Sequence, residues 1–303
     1  MSYGLVEEMQ KKAVPVSQAC RVLQVSQCGY YAARMRSRRA PVACVSSVQL
    51  KAAFAASGRA YGSRRLCAAL KKQGVTMGRH RVRTLMRANG LRPVWKRKFV
   101  HTTDSRHGLP VSPNVLARQF EQPKRDRAWV CDLTYIRTRS GWLYLAAVLD
   151  LHSRKIVGWA MAPEMPASLV CAALQMALAQ RNPGAGLIVH SDRGTQYASG
   201  AHQALLTKHG LTGSMSRKGN CWADLKDSAS SAWHRSVNSV MERFFLNLKM
   251  ERVWQRDYVN HSEAIHGVAD YIVNFYNSMR LHSKLGYLSP NAFEYKSASQ
   301  PTY

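Results

Sequence analysis

Three apolar segments rich in strand-forming residues, separated by short breaks, constrain the fold of this chain most strongly. They are Trp129–Arg139, Trp142–Leu151 and Lys155–Met161. The breaks, Ser140-Gly141 and His152–Arg154, leave room for tight turns only, so the segments predict three antiparallel strands in a meander. Since 46% of the 303 residues are apolar, the chain can bury a substantial core around them.

The elements after this meander predict the fold class. Helical and strand periodicities alternate along the chain and indicate, in order, Ala167–Gln180 as a helix, Leu187–Ser191 as a strand, Ser199–His209 as a helix, Leu211–Met215 as a strand, and Val240–Trp254 and Glu263–Met279 as helices. A meander followed by this alternation is the order of a ribonuclease H-like fold. We therefore predict an α/β, ribonuclease H-like core.

Two stretches before the core have the pattern of a helix-turn-helix. In residues 14–34, a turn near Gln24 separates a short helix from a second one that Ser26 is placed to cap. Residues 58–92 predict two longer helices, Tyr61–Gln73 and Gly78–Asn89, around a turn at Gly74. The second of these is basic and suits a DNA groove or backbone. A solvated basic helix is the alternative. Its basic residues are Arg79, Arg81, Arg83 and Arg87.

These patterns divide the chain into five parts. A Pro-, Lys- and Arg-rich stretch without periodicity, which includes Lys96, Arg97 and Lys98, is typical of a basic linker that follows a phosphate backbone. The predicted parts are an N-terminal helical segment 1–50, a basic helix-turn-helix-like domain 51–92, the linker 93–123, the catalytic core 124–296 with an inserted loop 223–236, and a tail 297–303.

The charge of the chain predicts its partner. Forty-four Lys and Arg stand against 17 Asp and Glu, which gives a formal net charge of +27. Such an excess favours a polyanion, because cations on phosphates release condensed counterions. The seven cysteines form no C-x-x-C pair, and no apolar run reaches the roughly 18 residues needed to cross a bilayer. We therefore expect a cytoplasmic, DNA-binding protein without a membrane partner.

Asp132 lies in the middle of the first predicted strand, within WVCDLTYI. Strand alternation places it on one face with Val130 and Thr134, and places Cys131, Leu133 and Tyr135 on the other. A carboxylate in so apolar a strand is costly unless a cation pairs with it. That cation is either a metal ion or one of the many arginines.

Asp192 follows a buried strand directly, within LIVHSDRGTQY. That strand should run parallel to the first, so Asp192 emerges at its carboxyl end, where two carboxylates can approach closely enough to share a metal ion. An aspartate that only caps a turn is the alternative.

Glu242 opens the helix SVMERFFLNLKMERVW, and Lys249, seven residues later, lies on nearly the same helical face. Ser239 and Glu242 also fit a capping box, so a purely structural role is open for this glutamate. Together, Asp132, Asp192 and Glu242 predict a catalytic site for two Mg²⁺ ions, with Mn²⁺ able to substitute, that act on a phosphodiester. Lys249 is predicted to bind the phosphate.

Several of these segments carry a resemblance to a known family. The chain resembles bacterial insertion-sequence transposases of the IS-three family, and within it the second reading frame, OrfB, whose core is similar to retroviral integrase. The resemblance runs from about Val14 to Glu294. The segments are YGSRRLCAALKKQGV, WVCDLTYI, LYLAAVLDLHSRKIVGWAM, HSDRGTQY, SMSRKGNCW, VMERFFLNLKMERVW and YNSMRLHSKLGYLSPNAF.

The resemblance implies a function and a residue assignment. It implies an integrase-type core, Mg²⁺ dependence, cleavage of element-end DNA and strand transfer by a 3′-hydroxyl. The family's two aspartates and glutamate fall on Asp132, Asp192 and Glu242. It further implies a homo-oligomer on DNA and a protein from the upstream frame as a partner or fusion.

One segment departs from the family pattern. After SMSRKGNCW the family continues directly into VMERFF, whereas here residues 223–236 intervene and Val237 stands where the family has an aspartate. Asp224 and Asp227 are alternative replacements for that aspartate. This insertion makes an inactive copy that only binds DNA one rival function. The other rivals are a DNA-binding regulator and a hydrolytic nuclease or junction resolvase.

Overall fold

The computed structural model of this chain describes residues 2–38, 44–94, 112–117, 119–216 and 239–299. They fall into two units, Met1–Ala52 and Ala53–Tyr303. Within the described ranges, no helix is long and apolar enough to span a bilayer.

The first unit contains a small helical core. Its helices are α1 (Ser2–Lys11), α2 (Val16–Val22) and α3 (Gln27–Arg38). Ser26 Oγ accepts a hydrogen bond from the Gly29 amide at 3.3 Å, which is the predicted cap of the second helix. Helix α1 was not predicted, although Val6 and Met9 have helical spacing. The buried core residues are Val6, Ala19, Cys20 and Tyr30.

Three further helices follow, α4 (Val45–Ala56), α5 (Ser63–Lys72) and α6 (Arg79–Ala88). Helices α5 and α6 are those predicted for residues 58–92, and Gly74 lies between them with a φ of +78°, a conformation that favours glycine. Their buried residues, Leu66, Leu70, Val82 and Met86, recur at helical spacing. The arginines of α6 are therefore left on its exposed side.

A five-stranded mixed sheet forms the centre of the second unit. Its order is β3-β2-β1-β4-β5. The first three strands pair antiparallel, while β4 lies parallel to β1 and β5 parallel to β4. The strands and the helices between them are β1 (Ala128–Thr138), β2 (Gly141–Asp150), β3 (Ile156–Ala162), α7 (Ala167–Arg181), β4 (Ile188–Ser191), α8 (Gly200–Lys208) and β5 (Thr212–Met215).

Helices cover both faces of the sheet. Helices α7 and α8 pack on the face that carries Trp129 and Cys131, whereas α9 (Ser239–Glu251) and α10 (His261–Asp270) pack on the face that carries Val130. Helix α7 lies so close to β3 that a Cβ at Gly158 would clash with the Ala173 carbonyl. The alternation of Val130 and Cys131 between two cores is therefore the alternation predicted for β1.

The C-terminal part differs from its prediction. The expected helix Glu263–Met279 is α10 followed by a π-helical turn, Tyr271–Asn277. The Asn277 side chain from this turn bonds both backbone groups of Ile156, accepting at 3.0 Å and donating at 2.9 Å, and so joins the turn to β3. Helix α11 (Pro290–Ala298) was not predicted, although Ser289 followed by Pro290 is a typical helix start.

The three-stranded meander followed by alternating helices and strands is the ribonuclease H-like order that the sequence predicts. The fold-class prediction, a ribonuclease H-like core preceded by all-α segments, is confirmed.

Candidate active site

Asp132 lies on β1 on the face that α9 covers. Its neighbours in the strand, Cys131 and Leu133, point toward α7 and pack in the core on that side. Asp132 Oδ1 accepts a hydrogen bond from the Leu133 amide at 2.8 Å. The carboxylate is thus fixed on its strand, and it lies two residues beyond the point where β1 stops pairing with β4.

Asp192 lies at the same level, directly after the neighbouring strand β4. The last paired residues of the parallel ladder are Val130 and His190, and each aspartate follows two residues later. Both residues therefore lie just beyond the carboxyl end of the parallel β1–β4 pairing. Asp192 Oδ1 also accepts the Gly194 amide at 2.9 Å, which is the turn-capping role that its position suggested.

His190 supports this end of β4 from within the core. It is fully buried, and its Nδ1 lies 2.8 Å from Ser214 Oγ on β5. The same hydroxyl accepts the amides of Val115 and Leu116. Burial lowers the pKa of His190 to about 4, so the ring is neutral near pH 7. The strand that presents Asp192 is therefore tied to its neighbours without adding a charge.

Glu242 and Lys249 lie near opposite ends of α9. Glu242 is in its first turn and Lys249 in its last, both partly exposed. The apolar side of the helix anchors it to the sheet through Met241, Phe244, Phe245 and Leu248. Lys249 Nζ lies 4.3 Å from the centre of the Tyr135 ring on β1. This contact is of cation–π type and fixes the ammonium close to the strand that carries Asp132.

The charges of these four residues act on one another. Burial raises the pKa of Asp132 well above its usual range, and the negative charges of Asp192 and Glu242 raise it further. The Leu133 amide and the Lys249 ammonium act in the opposite direction. Burial lowers the pKa of Lys249, and Asp132 partly offsets this. An additional positive charge at Asp132 would therefore be strongly favoured.

The carboxylates of Asp132, Asp192 and Glu242 suit a hard cation, since carboxylate oxygens are the ligands that Mg²⁺ prefers. Among the residues that the structure describes, however, no three His, Cys, Asp or Glu side chains are arranged closely enough to hold a metal ion. The structure thus brings Asp192 and Glu242 within electrostatic reach of Asp132 without closing the three into a metal-binding cluster.

The other predicted site residues lie elsewhere. Arg79, Arg81 and Arg83 are exposed along α6, as a surface that binds phosphates requires. Lys96, Arg97 and Lys98 lie outside the described residues, and so does the segment 223–236 with Asp224, Asp227 and the adjacent Val237.

Sequence reasoning missed Tyr197 near the aspartates. Its side chain is buried, and within the described ranges its hydroxyl has no hydrogen-bond partner. Burial raises the pKa of Tyr197 well above its usual value, and the charges of Cys131, Asp132 and Asp192 add to the rise. Its position in HSDRGTQY, five residues after Asp192, was the available signal.

The aromatic side chains near Lys249 were missed as well. Tyr135 is a direct neighbour of the lysine, and Trp142 packs edge-on against Tyr135. Tyr135, Arg137 and Arg139 are every second residue of one segment, and this row of an aromatic and two basic side chains was the signal that could have revealed the surface.

Family models match most of the chain. An integrase core domain model matches residues 122–221, a second integrase core domain model matches 242–297, and an HTH-like domain model matches 46–99. The interval between the two core matches contains the segment 223–236. The core matches include Asp132 and Asp192 in the first part and Glu242 in the second.

Among solved structures, the simian T-cell lymphotropic virus intasome in complex with PP2A regulatory subunit B56 gamma is 13% identical, with a TM-score of 0.46, over 78% of this chain and 73% of that chain. The HTLV-2 integrase catalytic core domain in complex with magnesium (dimeric form) is also 13% identical, with a TM-score of 0.41, over 57% of this chain and 98% of that chain.

Curated relatives match over nearly the whole length. The transposase InsF for insertion sequence IS3A of Escherichia coli strain K12 is 40% identical over 301 residues, which are 98% of this chain and 99% of the relative. The 31 kDa protein of insertion element IS600 from Shigella sonnei is 40% identical over 279 residues, or 91% and 97% of the two chains. The chain belongs to the IS3 family of insertion-sequence transposases.

Proposed function

We propose that this transposase cleaves element-end DNA and joins the freed 3′-hydroxyl to a target, with Asp132, Asp192 and Glu242 as its catalytic carboxylates. One observation carries the proposal. The pKa of Asp132 is raised by burial and by the negative charges of Asp192 and Glu242, so carboxylates from two other elements lie close enough to act on it. Such an accumulation of like charge is costly for folding and is typical of functional sites.

The three carboxylates would hold two Mg²⁺ ions, or Mn²⁺ in their place. When bound, such ions activate the attacking oxygen and stabilise the leaving oxygen of an in-line displacement. The chain's own residues would supply the frame, with the two aspartates on β1 and directly after β4, and Glu242 on α9. Lys249 neutralises charge beside Asp132 and would bind a phosphate of the DNA end.

DNA is the proposed partner, both as element end and as target. A net charge of +27 and the exposed Arg79, Arg81 and Arg83 of α6 favour contacts with phosphates, and Lys96, Arg97 and Lys98 would extend them. We further propose that the chain acts as a homo-oligomer on DNA, together with or fused to the upstream-frame protein. Its site of action would be the bacterial cytoplasm, where the element's DNA lies.

The test replaces one carboxylate at a time. Asp132→Asn, Asp192→Asn and Glu242→Gln remove a negative charge with little change of shape, and each is expected to abolish Mg²⁺-dependent joining of labelled DNA ends. Binding of the same DNA without metal is the control and should stay at the wild-type level. A variant that keeps more than a small fraction of joining activity would remove its residue from the site.

The same assay separates the rival functions. Cleavage of DNA ends without joining would identify a hydrolytic nuclease instead of a transferase. Metal-free DNA binding without cleavage would identify an inactive copy that only binds DNA, a function that the inserted segment 223–236 favours.

A further inference from the structure

Three aromatic residues and an arginine share one face of the β1–β2 hairpin. Tyr135 lies directly opposite Tyr144, and Arg137 lies directly opposite Trp142 in the antiparallel register. Directly opposite residues project to the same face of a sheet, and Tyr135 and Trp142 are diagonal neighbours on it. We call Tyr135, Trp142 and Tyr144 the aromatic patch.

The aromatic patch lies at the edge of the α7 core. Leu133 and Tyr144 still pack against that core, whereas Trp142 is 47% exposed. Trp129, on the same face of β1 but under α7, is fully buried. The hairpin therefore holds an indole in solvent at a position where the sheet continues and its helical cover ends.

The exposed indole is held in a defined orientation. The rings of Tyr135 and Trp142 meet edge-to-face, with centroids 5.1 Å apart and planes at 87°. This is a favourable geometry for two aromatic rings. The patch therefore presents an exposed aromatic side chain whose orientation is set before any ligand arrives.

Two cationic side chains lie next to this surface. Lys249 Nζ lies 4.3 Å from the centre of the Tyr135 ring, and its charge also acts on Asp132. Arg137 is exposed beside Trp142. Lys249 thus links the aromatic patch to the proposed catalytic carboxylates.

We propose that the aromatic patch stacks an unpaired base of the DNA substrate, beside a phosphate that Lys249 binds. Aromatic surfaces next to cationic side chains are the combination by which proteins bind single-stranded nucleic acid, because every base has a π-face. A base inside a duplex keeps both faces stacked and cannot use the patch. The inference rests on the proposed function, since it assigns the patch to the same substrate.

The experiment uses the full chain and a DNA duplex with a short 3′ single-stranded extension that carries 2-aminopurine. Stacking on the patch should quench the 2-aminopurine fluorescence, and the extended duplex should bind more tightly than the blunt one. Trp142→Ala is expected to lose the quenching and to weaken binding of the extended duplex by about tenfold. Binding of the blunt duplex should change little.

Two further variants serve as controls. Trp142→Phe keeps a flat ring and should retain most of the quenching, which distinguishes lost stacking from misfolding. Tyr295→Ala removes an aromatic side chain that is 79% exposed on α11, away from the hairpin, and should behave as wild type.

Two outcomes would overturn the inference. Wild-type quenching and affinity in Trp142→Ala would show that the base does not stack there. A change in oligomeric state with Trp142→Ala, measured by sedimentation without DNA, would assign the patch to a second copy of the chain.

The proposed function is tested separately by joining of DNA ends. If wild type joins ends and Asp132→Asn does not, while Trp142→Ala quenches normally, only the stacking inference fails. If quenching depends on Trp142 but wild type joins no ends, only the proposed function fails.

Discussion

Arg280 holds Glu251 in a buried two-point ion pair, with Nη2 2.7 Å from Oε1 and Nε 2.8 Å from Oε2. Glu251 is the last residue of α9, the helix that carries Glu242 in its first turn. The Tyr271 hydroxyl donates a further hydrogen bond to Glu251 Oε2 at 2.6 Å. The far end of the helix is thus anchored in the core.

Breaking this pair should lower the stability of the protein. Arg280→Met leaves Glu251 charged and buried, which should lower the free energy of unfolding by about 3–5 kcal/mol. Arg252→Met removes a comparable ion pair whose partner Asp270 is half-exposed, and should cost less than about 1 kcal/mol. Urea denaturation measures both. Equal losses in the two variants would contradict the anchoring role.

Metal binding should offset the electrostatic repulsion that Asp192 and Glu242 exert on Asp132. Without metal, Asp132→Asn is expected to raise the melting temperature, because it removes a buried charge that Asp192 and Glu242 repel. Added Mg²⁺ should raise the melting temperature of wild type and leave that of Asp132→Asn nearly unchanged, since binding stabilises only a protein that has the site. Thermal denaturation with and without Mg²⁺ checks this. A similar Mg²⁺ response of both proteins would argue against a metal site at Asp132.

Lys249 should contribute more to DNA-end binding than an exposed lysine elsewhere. Lys249→Glu places a negative charge beside Asp132 and the proposed phosphate position, so end binding or joining should fall at least tenfold. The same change at Lys208, exposed on α8, is the matched control. Quantitative joining assays compare the two variants. Equal effects would show that Lys249 acts only through the overall charge.

The arginines of α6 should determine the salt dependence of DNA binding. A plot of log affinity against log salt has a negative slope, and each phosphate contact that is lost reduces the size of that slope by about one. Arg81→Ala and Arg83→Ala are therefore expected to flatten the slope, and Lys296→Ala on α11 is not. Fluorescence anisotropy across a salt series measures it. Unchanged slopes in the arginine variants would exclude α6 as a phosphate-binding surface.

The inserted segment 223–236 should impair catalysis without preventing folding. Lengthening a loop about fourfold adds only about 1 kcal/mol of closure entropy, whereas a displacement of about 1 Å at a catalytic group can cost about a hundredfold in rate. Deleting 223–236 and changing Val237→Asp is expected to raise strand transfer, with the melting transition nearly unchanged. A repaired variant no more active than an efficient parent would contradict this prediction.

Local sequence patterns were sufficient to predict the fold where its helices and strands are regular. The alternation around Asp132 predicted which neighbours face which core, and the short apolar strand before Asp192 was correctly expected to lie parallel to β1. Helices α5 and α6 followed from apolar spacing around Gly74. These features depend on periodicity, which a single sequence contains.

Contacts between distant segments could not be predicted in this way. Tyr135 was assigned correctly to the face opposite Asp132, yet Lys249 from the other side reaches its ring. The Arg280–Glu251 pair joins residues 29 positions apart, and no local pattern distinguishes this arginine from the other 43 Lys and Arg. The direction of a long side chain is decided by tertiary packing, which local patterns do not encode.

Beyond Leu133, β1 pairs with β2 along one edge, and in the described part of the chain no strand lies along the other. A bare strand edge is a template on which another chain can add its own strand and aggregate. The Lys249–Tyr135 contact brings α9 alongside this edge. The Lys249 side chain therefore lies next to this edge, so the helix that carries Glu242 also stands where a further strand would have to pair.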